Sequence, residues 1–270
     1  MNLRMFPVQP NSSRRLRRGN SASVSEPLSR HSSYQEFSCE TVSQGVSSEL
    51  LYLSPSDQEM LIRQQAMDKI QQGQLTEAIE LFTVLICYNP HNASNFNNRG
   101  LLYFQNGSLE KALTDYNRAL GLNPRLGKVY NNRANCYATL GLLELAIADY
   151  ETALDLDPLD IRARLNQGIT FRQLDQYEDA IASHDLALQF AQLLASTDET
   201  TVPASVEGHL YAERGRAYHL LGDWNCAIAD YYRALDRLPL AESSQTLVYR
   251  LRSQVKGWLD ELLAPLKSEN

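Results

Sequence analysis

The chain of 270 residues lacks the residue arrangements from which catalytic and metal sites are built. Its four cysteines occur without Cys-x-x-Cys spacing, and its five histidines occur without a His-Glu-x-x-His motif or Cys/His ligand spacing. A Gly-x-Ser-x-Gly motif, a glycine-rich phosphate loop and a dinucleotide-binding Gly-x-Gly-x-x-Gly motif are also missing. The sequence therefore predicts a protein that is not an enzyme, with no catalytic residue, no bound metal and no cofactor.

Long apolar runs are missing as well. No stretch of about 18 apolar residues is present to span a membrane, and no apolar stretch near the start resembles a signal peptide. Cys87, Cys136 and Cys226 fall within predicted helices, and we interpret them as buried, reduced thiols. We therefore expect a cytoplasmic or other reducing compartment, with organelle targeting through the N-terminal segment as the alternative.

Lysine is absent before Lys69, and residues 1–31 contain six arginines against the single acidic residue Glu26. The whole chain is nevertheless acidic, with a net charge of −7, which argues against nucleic acid as its main partner. Residues 1–55 are rich in Ser, Arg and Gln without periodicity, which predicts a disordered arm. The charge cluster of this arm comprises Arg14, Arg15, Arg17 and Arg18. It is open to three interpretations: a solvated arm, a targeting segment, or a contact with an anionic surface.

A repeat of 34 residues runs through most of the remaining chain. Columns of alanine, proline and glycine recur at this spacing: Ala78, Ala112, Ala146 and Ala180; Pro90, Pro124 and Pro158; Gly73, Gly107 and Gly141. A fifth copy, with Gly222, Ala227 and Pro239, begins 47 residues after the fourth, so 13 extra residues intervene. A period of this length indicates stacked helical units that contact only their neighbours.

Each column has a mechanical role in a pair of antiparallel helices. A small residue in the first helix lets a neighbouring backbone approach, and the column consists of Ala66, Gly100, Ala134, Gly168 and Gly215. In the second helix a ring follows four residues after the alanine column, at Phe82, Tyr116, Tyr150, His184 and Tyr231. Glycine between the helices suits a left-handed turn, and proline after the second helix ends it.

The pattern resembles the tetratricopeptide repeat, whose signature is Gly-x2-Tyr, then Ala-x3-Phe or Tyr, then Pro. Here it includes Gly100-Leu-Leu-Tyr103, Ala112-x3-Tyr116 and Pro124, and the resemblance covers about residues 59–239. It implies an all-α fold, a right-handed superhelical solenoid of antiparallel helix pairs. The first unit departs from the pattern at Lys69, and the fourth departs at Asp175, His184 and Gln192. The missing proline predicts that the second helix of unit 4 continues past its usual end.

These patterns predict the organisation of the whole chain. The arm spans 1–55, the five units span 56–92, 93–126, 127–160, 161–207 and 208–239, a capping helix spans 240–264, and a tail spans 265–270. We place the start of the first helix after Ser56 as its cap. Residues 193–207 are predicted to extend a helix and then form a polar loop.

The segment after Pro239 has a different apolar pattern. One stripe comprises Leu247, Leu251, Val255, Trp258 and Leu262. We interpret this segment as an amphipathic helix that covers the apolar side of unit 5 around Trp224, because a terminal repeat otherwise exposes that side. Pro265 is expected to end the helix.

The resemblance implies that the first helices line a concave groove, where asparagines recur. Asn98, Asn132 and Asn166 are 34 residues apart, and Asn97, Asn131 and Asn135 lie beside them. An asparagine side chain offers donors and an acceptor that match a peptide group. The asparagines could therefore hold an extended peptide by its backbone, as in the asparagine ladders of some tetratricopeptide superhelices. Alternatively, they form hydrogen bonds between neighbouring units.

A second type of site found in the family is the carboxylate clamp, which binds a C-terminal carboxylate. The equivalent positions here are Arg63, Met67, Asn98, Lys128 and Asn132. Because Met67 and Asn132 break the pattern, we do not expect binding of a chaperone tail, although Arg63 and Lys128 could contact an anion. The sequence thus predicts a non-enzymatic adaptor or assembly factor that binds a protein or peptide segment in the groove. The alternative is a structural subunit of a complex that uses its convex face or capping helix.

Overall fold

A computed structural model describes residues 54–196, 202–239 and 247–267, and within these ranges all regular secondary structure is helical. The eleven helices are α1 (Pro55–Gln71), α2 (Leu75–Tyr88), α3 (Ala93–Gln105), α4 (Leu109–Leu122), α5 (Gly127–Thr139), α6 (Leu143–Leu156), α7 (Ile161–Gln173), α8 (Tyr177–Ser196), α9 (Ala204–Leu221), α10 (Trp224–Arg237) and α11 (Leu247–Lys267). Helices α1 to α10 form five consecutive pairs, and each pair packs on the next. Residues 1–53 of the predicted disordered arm, with its arginine cluster, lie outside the described residues, whereas Ser54 and Pro55 belong to the start of α1.

The predicted columns of small residues and rings form the core. All five members of the alanine column are fully buried, and so are the ring residues that follow them. In unit 2, a Cβ atom added to Gly100 would lie 2.8 Å from Cε1 of Tyr116, and in unit 4 one added to Gly168 would lie 2.5 Å from Cε1 of His184. Since real Cβ atoms do not approach so closely, glycine is required there for the ring to pack against the first helix.

The turn between the two helices of a unit has the predicted left-handed conformation. Gly73, Gly107 and Gly141 have φ of +77° and Gly222 has φ of +91°. Asp175 holds the equivalent position in unit 4 with φ of 60°, and its Oδ1 accepts a hydrogen bond of 2.8 Å from the hydroxyl of Tyr177. Helix α8 has 20 residues, against 14 in α2, α4, α6 and α10, so the prediction of an extended second helix is confirmed.

Three predicted helix ends were wrong. Helix α9 begins at Ala204, inside the segment 193–207 that was predicted to end as a loop, because Pro203 has the backbone of a helix cap. Helix α1 begins at Pro55 rather than after Ser56, because proline suits the first turn and Ser54 has the extended backbone of a cap. The Oγ of Ser54 accepts a hydrogen bond of 3.2 Å from the backbone N–H of Asp57. At the other end of the chain, α11 passes through Pro265 and ends at Lys267. A proline lacks an N–H donor and its ring opposes the carbonyl one turn earlier, and the helix continues for only two residues beyond Pro265.

The prediction of buried, reduced thiols holds for Cys136, which is free and buried. It is wrong for the other two helical cysteines. Cys226 is free but exposed, because it lies in the first turn of α10, where its backbone N–H donates to the capping side chain of Asp223. Cys87 is disulfide-bonded.

Helix α11 packs on α10 and α9, which confirms its role as a cap. Val255 and Leu259 are buried, and the ring of Trp258 lies 5.8 Å from that of Tyr231. The guanidinium of Arg252 donates to the carbonyl oxygens of Leu235 and Leu238, which α10 leaves unpaired at its C-terminal end. Trp224, however, is 63% exposed, so the prediction that the cap covers it was wrong. Trp224 begins α10, whereas α11 covers the middle and the end of that helix.

Replacement of Ala146 by leucine tests the close contact in unit 3. Ala146 is fully buried among Ala134, Ala138 and Tyr150. Overpacking should cost about 1–3 kcal/mol and lower the thermal midpoint by roughly 2–4 °C per kcal/mol. The matched control is Ala148→Leu on the exposed side of the same helix, which should leave the midpoint unchanged. Equal midpoints for the Ala146 variant and the wild type would contradict the assigned contact.

Candidate functional site

The first helices of successive units lie against one another along one face of the solenoid. Helix α3 contacts α5, α5 contacts α7, and α7 contacts α9, whereas the second helices of the described units make fewer contacts with one another. A stack whose first helices are closer together than its second helices curves toward the first helices. The first helices therefore line the concave face, as predicted, and this face is the candidate site.

The predicted asparagines of units 2 and 3 are in hydrogen-bonding contact on this face. Nδ2 of Asn132 donates to Oδ1 of Asn97 over 3.0 Å, across the boundary between α3 and α5. Nδ2 of Asn97 in turn donates to Oδ1 of Asn98 over 3.3 Å. One chain of side-chain amides thus joins two units.

At the boundary between units 3 and 4, the asparagine column is hydrogen-bonded to Asn135. Nδ2 of Asn166 on α7 donates to Oδ1 of Asn135 on α5 over 3.0 Å. Oδ1 of Asn135 also accepts a hydrogen bond of 2.7 Å from the hydroxyl of Tyr150 in the ring column. Oδ1 of Asn131, by contrast, is buried without a hydrogen-bond partner, so a ligand in the groove cannot reach it.

These contacts favour the second of the two interpretations of the asparagines, since the side chains bond neighbouring units to one another. They leave part of each amide unused. A carboxamide has two N–H donors and an oxygen with two lone pairs. Asn98, Asn132 and Asn166 each take part in one side-chain hydrogen bond and are half-buried. Each can therefore accept a further partner from the groove.

The two predicted cations differ in how they are held. Nη2 of Arg63 donates to Oε1 of Glu59 over 2.8 Å and to Oδ1 of Asn95 over 2.9 Å, so its charge is already compensated. Lys128 is exposed, and it lies four residues before Asn132 on the same helix. Lys128 is thus the more accessible of the two cations for an anionic group.

An ionic cluster continues the groove into unit 5, and sequence reasoning missed it. Glu213 holds the position of the asparagine column, two residues before Gly215. Its carboxylate accepts hydrogen bonds from Arg172 on α7, with contacts of 2.9 and 3.1 Å, and Nε2 of His209 lies 3.7 Å away. Burial alone would raise the pKa of Glu213, but Arg172 and His209 outweigh burial and hold the pKa well below its usual range. The carboxylate is therefore ionised and ties unit 4 to unit 5.

His184 is a packed structural residue, as predicted for a histidine in the ring column. The side chain is fully buried and neither ring nitrogen has a hydrogen-bond partner. Burial lowers the pKa of His184 to about 3, so the ring is neutral at physiological pH.

A second network that sequence reasoning missed consists of buried ion pairs. In three units an arginine just before the small residue of the first helix forms a two-point contact with an aspartate just before the ring of the second helix. The pairs are Arg99–Asp115, Arg133–Asp149 and Arg214–Asp230, with contacts of 2.7 to 2.8 Å. The spacing of 16 residues, repeated three times, was the available sequence signal.

A polar cleft of about 400 Å³ lies on the outer side of units 4 and 5. Its charged residues are already paired, because Asp230 accepts from both Arg214 and Arg233, while Asp185 accepts from Arg214. The rings and amides around them include Tyr211, Gln189 and Gln192. This mutual neutralisation gives the cleft no net charge with which to select a charged ligand.

The fold and the concave face define a helical-repeat protein, and comparison with known proteins identifies the repeat. Residues 93–126 and 127–159 match the tetratricopeptide repeat. These segments are units 2 and 3, so the chain carries tetratricopeptide repeats and folds as a tetratricopeptide solenoid. No curated protein matches the chain.

Solved structures with the same fold include two bacterial proteins. MamA from Desulfovibrio magneticus RS-1 (residues 41 to the end) has a TM-score of 0.57 at 16% identity, over 68% of this chain and 97% of that chain. A tetratricopeptide repeat protein from Parabacteroides merdae has a TM-score of 0.56 at 20% identity, over 78% of each chain. These TM-scores show a shared fold.

None of the helices in 54–196, 202–239 and 247–267 is long and apolar enough to cross a membrane. In the same ranges, histidine, cysteine and acidic side chains do not gather into a group that could hold a metal ion.

Proposed function

We propose that this protein is a non-enzymatic adaptor or assembly factor that binds an extended segment of a partner protein in its concave groove. Stacked helical repeats commonly present such extended concave surfaces to their partners. The observation that carries the proposal is the row of half-buried amides at Asn98, Asn132 and Asn166, which retain hydrogen-bonding capacity on the concave face.

The geometry of this row suits a peptide in extended conformation. The three asparagines lie on three successive first helices, so their unused donors and acceptors recur along the groove at the spacing of the units. An extended backbone also presents its N–H and C=O groups at regular intervals along its length. Lys128 adds an accessible positive charge beside Asn132, which favours a segment with an acidic residue at that point.

The experiment begins with affinity capture on the full chain and identification of the captured segment by mass spectrometry. The segment is then titrated against the wild type and against a triple variant, Asn98→Ala, Asn132→Ala and Asn166→Ala. Each lost hydrogen bond should cost about 0.5–1.5 kcal/mol. We therefore expect the affinity to fall at least about tenfold, since 1.4 kcal/mol is one decade.

Because Asn132 and Asn166 also join neighbouring units, the control must separate binding from stability. Asn117→Ala serves this purpose, since Oδ1 of Asn117 accepts from Arg133 on the outer side and lies away from the groove. This variant should lose a hydrogen bond between units yet bind the segment as the wild type does. Equal affinities of the wild type and the triple variant would exclude the asparagines from the binding site.

A second candidate function, a structural subunit that uses its outer surface, rests on exposed apolar side chains. Leu145 and Tyr232 on second helices are 51% and 55% exposed, and Trp224 is more exposed still. If a captured partner binds the triple asparagine variant normally but fails to bind Leu145→Glu or Trp224→Glu, the outer surface is the interface.

A further inference from the structure

Three of the four boundaries between the five described units share a contact on their outer side, which we call the outer link. In it, the arginine of a buried ion pair uses its Nη1 to donate to the second helix of the preceding unit. Arg99 donates to Thr83 over 3.1 Å, Arg133 donates to Asn117 over 2.7 Å, and Arg214 donates to Asp185. These links join units 1 and 2, units 2 and 3, and units 4 and 5.

The boundary between units 3 and 4 lacks the outer link. Gln167 replaces the arginine, and its Oε1 accepts a hydrogen bond of 3.1 Å from Ser183 of its own unit. On the opposite side of the boundary, Glu151 holds the position of the acceptor and is exposed. Between Gln167 and Glu151, both within the described residues, there is no hydrogen bond, so this amide does not bridge the boundary as the guanidinium does elsewhere.

The buried apolar clusters show the same interruption. The cluster of unit 1 includes Leu102 of unit 2, and the cluster of unit 2 includes Cys136 of unit 3. The cluster of unit 4 includes Leu210 of unit 5, and the cluster of unit 5 includes Val255 of α11. The separate cluster of unit 3 is confined to its own two helices, within the described part of the chain.

The contacts that remain between units 3 and 4 connect the first helices and the ring column. Asn166 of unit 4 donates to Oδ1 of Asn135, as described above, and the same oxygen accepts from the ring hydroxyl of Tyr150 in unit 3. Helices α6 and α7 are in contact, as neighbouring units are elsewhere, so the difference lies in the side chains that join them. This boundary is held from the groove side and lacks its outer hydrogen bond.

We infer that the boundary between units 3 and 4 is a hinge, which divides the solenoid into a body of α1–α6 and a body of α7–α11. The pivot is the contact of Asn135 with Asn166, and the outer side between Glu151 and Gln167 opens. The stability of a repeat array depends on the interfaces between neighbours, so an interface that lacks the outer hydrogen bond opens before those that have it. Opening there changes the curvature of the groove that crosses it. The hinge does not depend on what the groove binds.

The two tryptophans of the chain make the division measurable, because Trp224 and Trp258 both lie in the second body. Tryptophan fluorescence therefore reports on the unfolding of α7–α11, while circular dichroism reports on all helices. In urea we expect the two signals of the full chain to have different midpoints. Coincident curves would overturn the inference, since they would show one cooperative unit.

Introducing the outer link at the boundary between units 3 and 4 tests whether its absence there causes the difference between the two midpoints. The triple variant Gln167→Arg, Ser183→Asp and Glu151→Asn places at the hinge the residues that Arg133, Asp149 and Asn117 provide one unit earlier. The gap between the two midpoints should shrink by at least half. An unchanged gap in the folded variant would overturn the assignment of the hinge to this boundary.

The matched control makes the reverse exchange at the boundary of units 2 and 3. The variant Arg133→Gln, Asp149→Ser and Asn117→Glu should lower the midpoint seen by circular dichroism and leave the fluorescence midpoint unchanged. Native-state hydrogen exchange on the wild type tests the hinge without any variant. Amides at the end of α6 and the start of α7 should exchange through an opening that leaves the interiors of both bodies protected, and equal protection throughout would overturn the inference.

Discussion

A chain that ends at residue 239 is expected to aggregate or to lose cooperative unfolding of its last unit. The truncation removes α11, whose Val255 and Leu259 are buried in the same cluster as Tyr231 and Leu238. Removal of this helix uncovers apolar surface that a terminal repeat cannot shield from water. The measurement is light scattering together with urea unfolding followed by tryptophan fluorescence from Trp224.

A pair of full-length variants separates loss of the cap contact from loss of chain length. Val255→Asp places an unpaired charge in the buried contact and should reproduce the truncation in part. Lys256→Asp changes the charge of the next residue, which is exposed, and should behave as the wild type does. A soluble truncated chain with the unfolding midpoint of the full chain would show that α11 has another role, such as binding.

Replacement of Arg133 by methionine is expected to destabilise the first body by about 3–5 kcal/mol, because it leaves a buried carboxylate without its partner. Asp149 is 7% exposed, and the guanidinium of Arg133 donates to both of its carboxylate oxygens. The effect should appear as a lower urea midpoint in circular dichroism.

The control for this prediction removes both partners. Arg133→Met combined with Asp149→Leu should recover most of the loss, since an apolar pair of similar volume can replace a buried ion pair. If the single variant lost less than about 1 kcal/mol, the pair would be acting as an exposed ion pair does.

The ion pairs and the asparagine contacts together explain how polar groups are accommodated inside a stack of small apolar units. Each arginine donates hydrogen bonds to a buried aspartate within its own unit, and its Nη1 donates a further hydrogen bond to the preceding unit. The groove asparagines make a second set of connections on the inner side. Neighbouring units with both sets resist opening on two sides, and units 3 and 4 are connected on one side.

The sequence by itself determined the repeat, the number of units, the left-handed turns and the extended α8, because each depends on local geometry. An alanine at a close contact, a glycine at positive φ and a missing proline act through their own backbone and nearest neighbours. Residue type and spacing are enough to predict such features. They also predicted that a helix would cap unit 5, since a terminal repeat must cover its apolar side.

Only the tertiary structure decided which polar groups meet across units. Nδ2 of Asn132 donates to Asn97 because α3 and α5 lie close enough together. The spacing of residues along the sequence does not give the distance between these two helices. The same holds for Trp224, which remains exposed because of where α11 crosses α10. Hydrogen bonds between units require donor and acceptor within about 3 Å, so the packing of the helices decided that each arginine reaches the preceding unit. The missing link at Gln167 follows from the residue itself, which replaces the arginine.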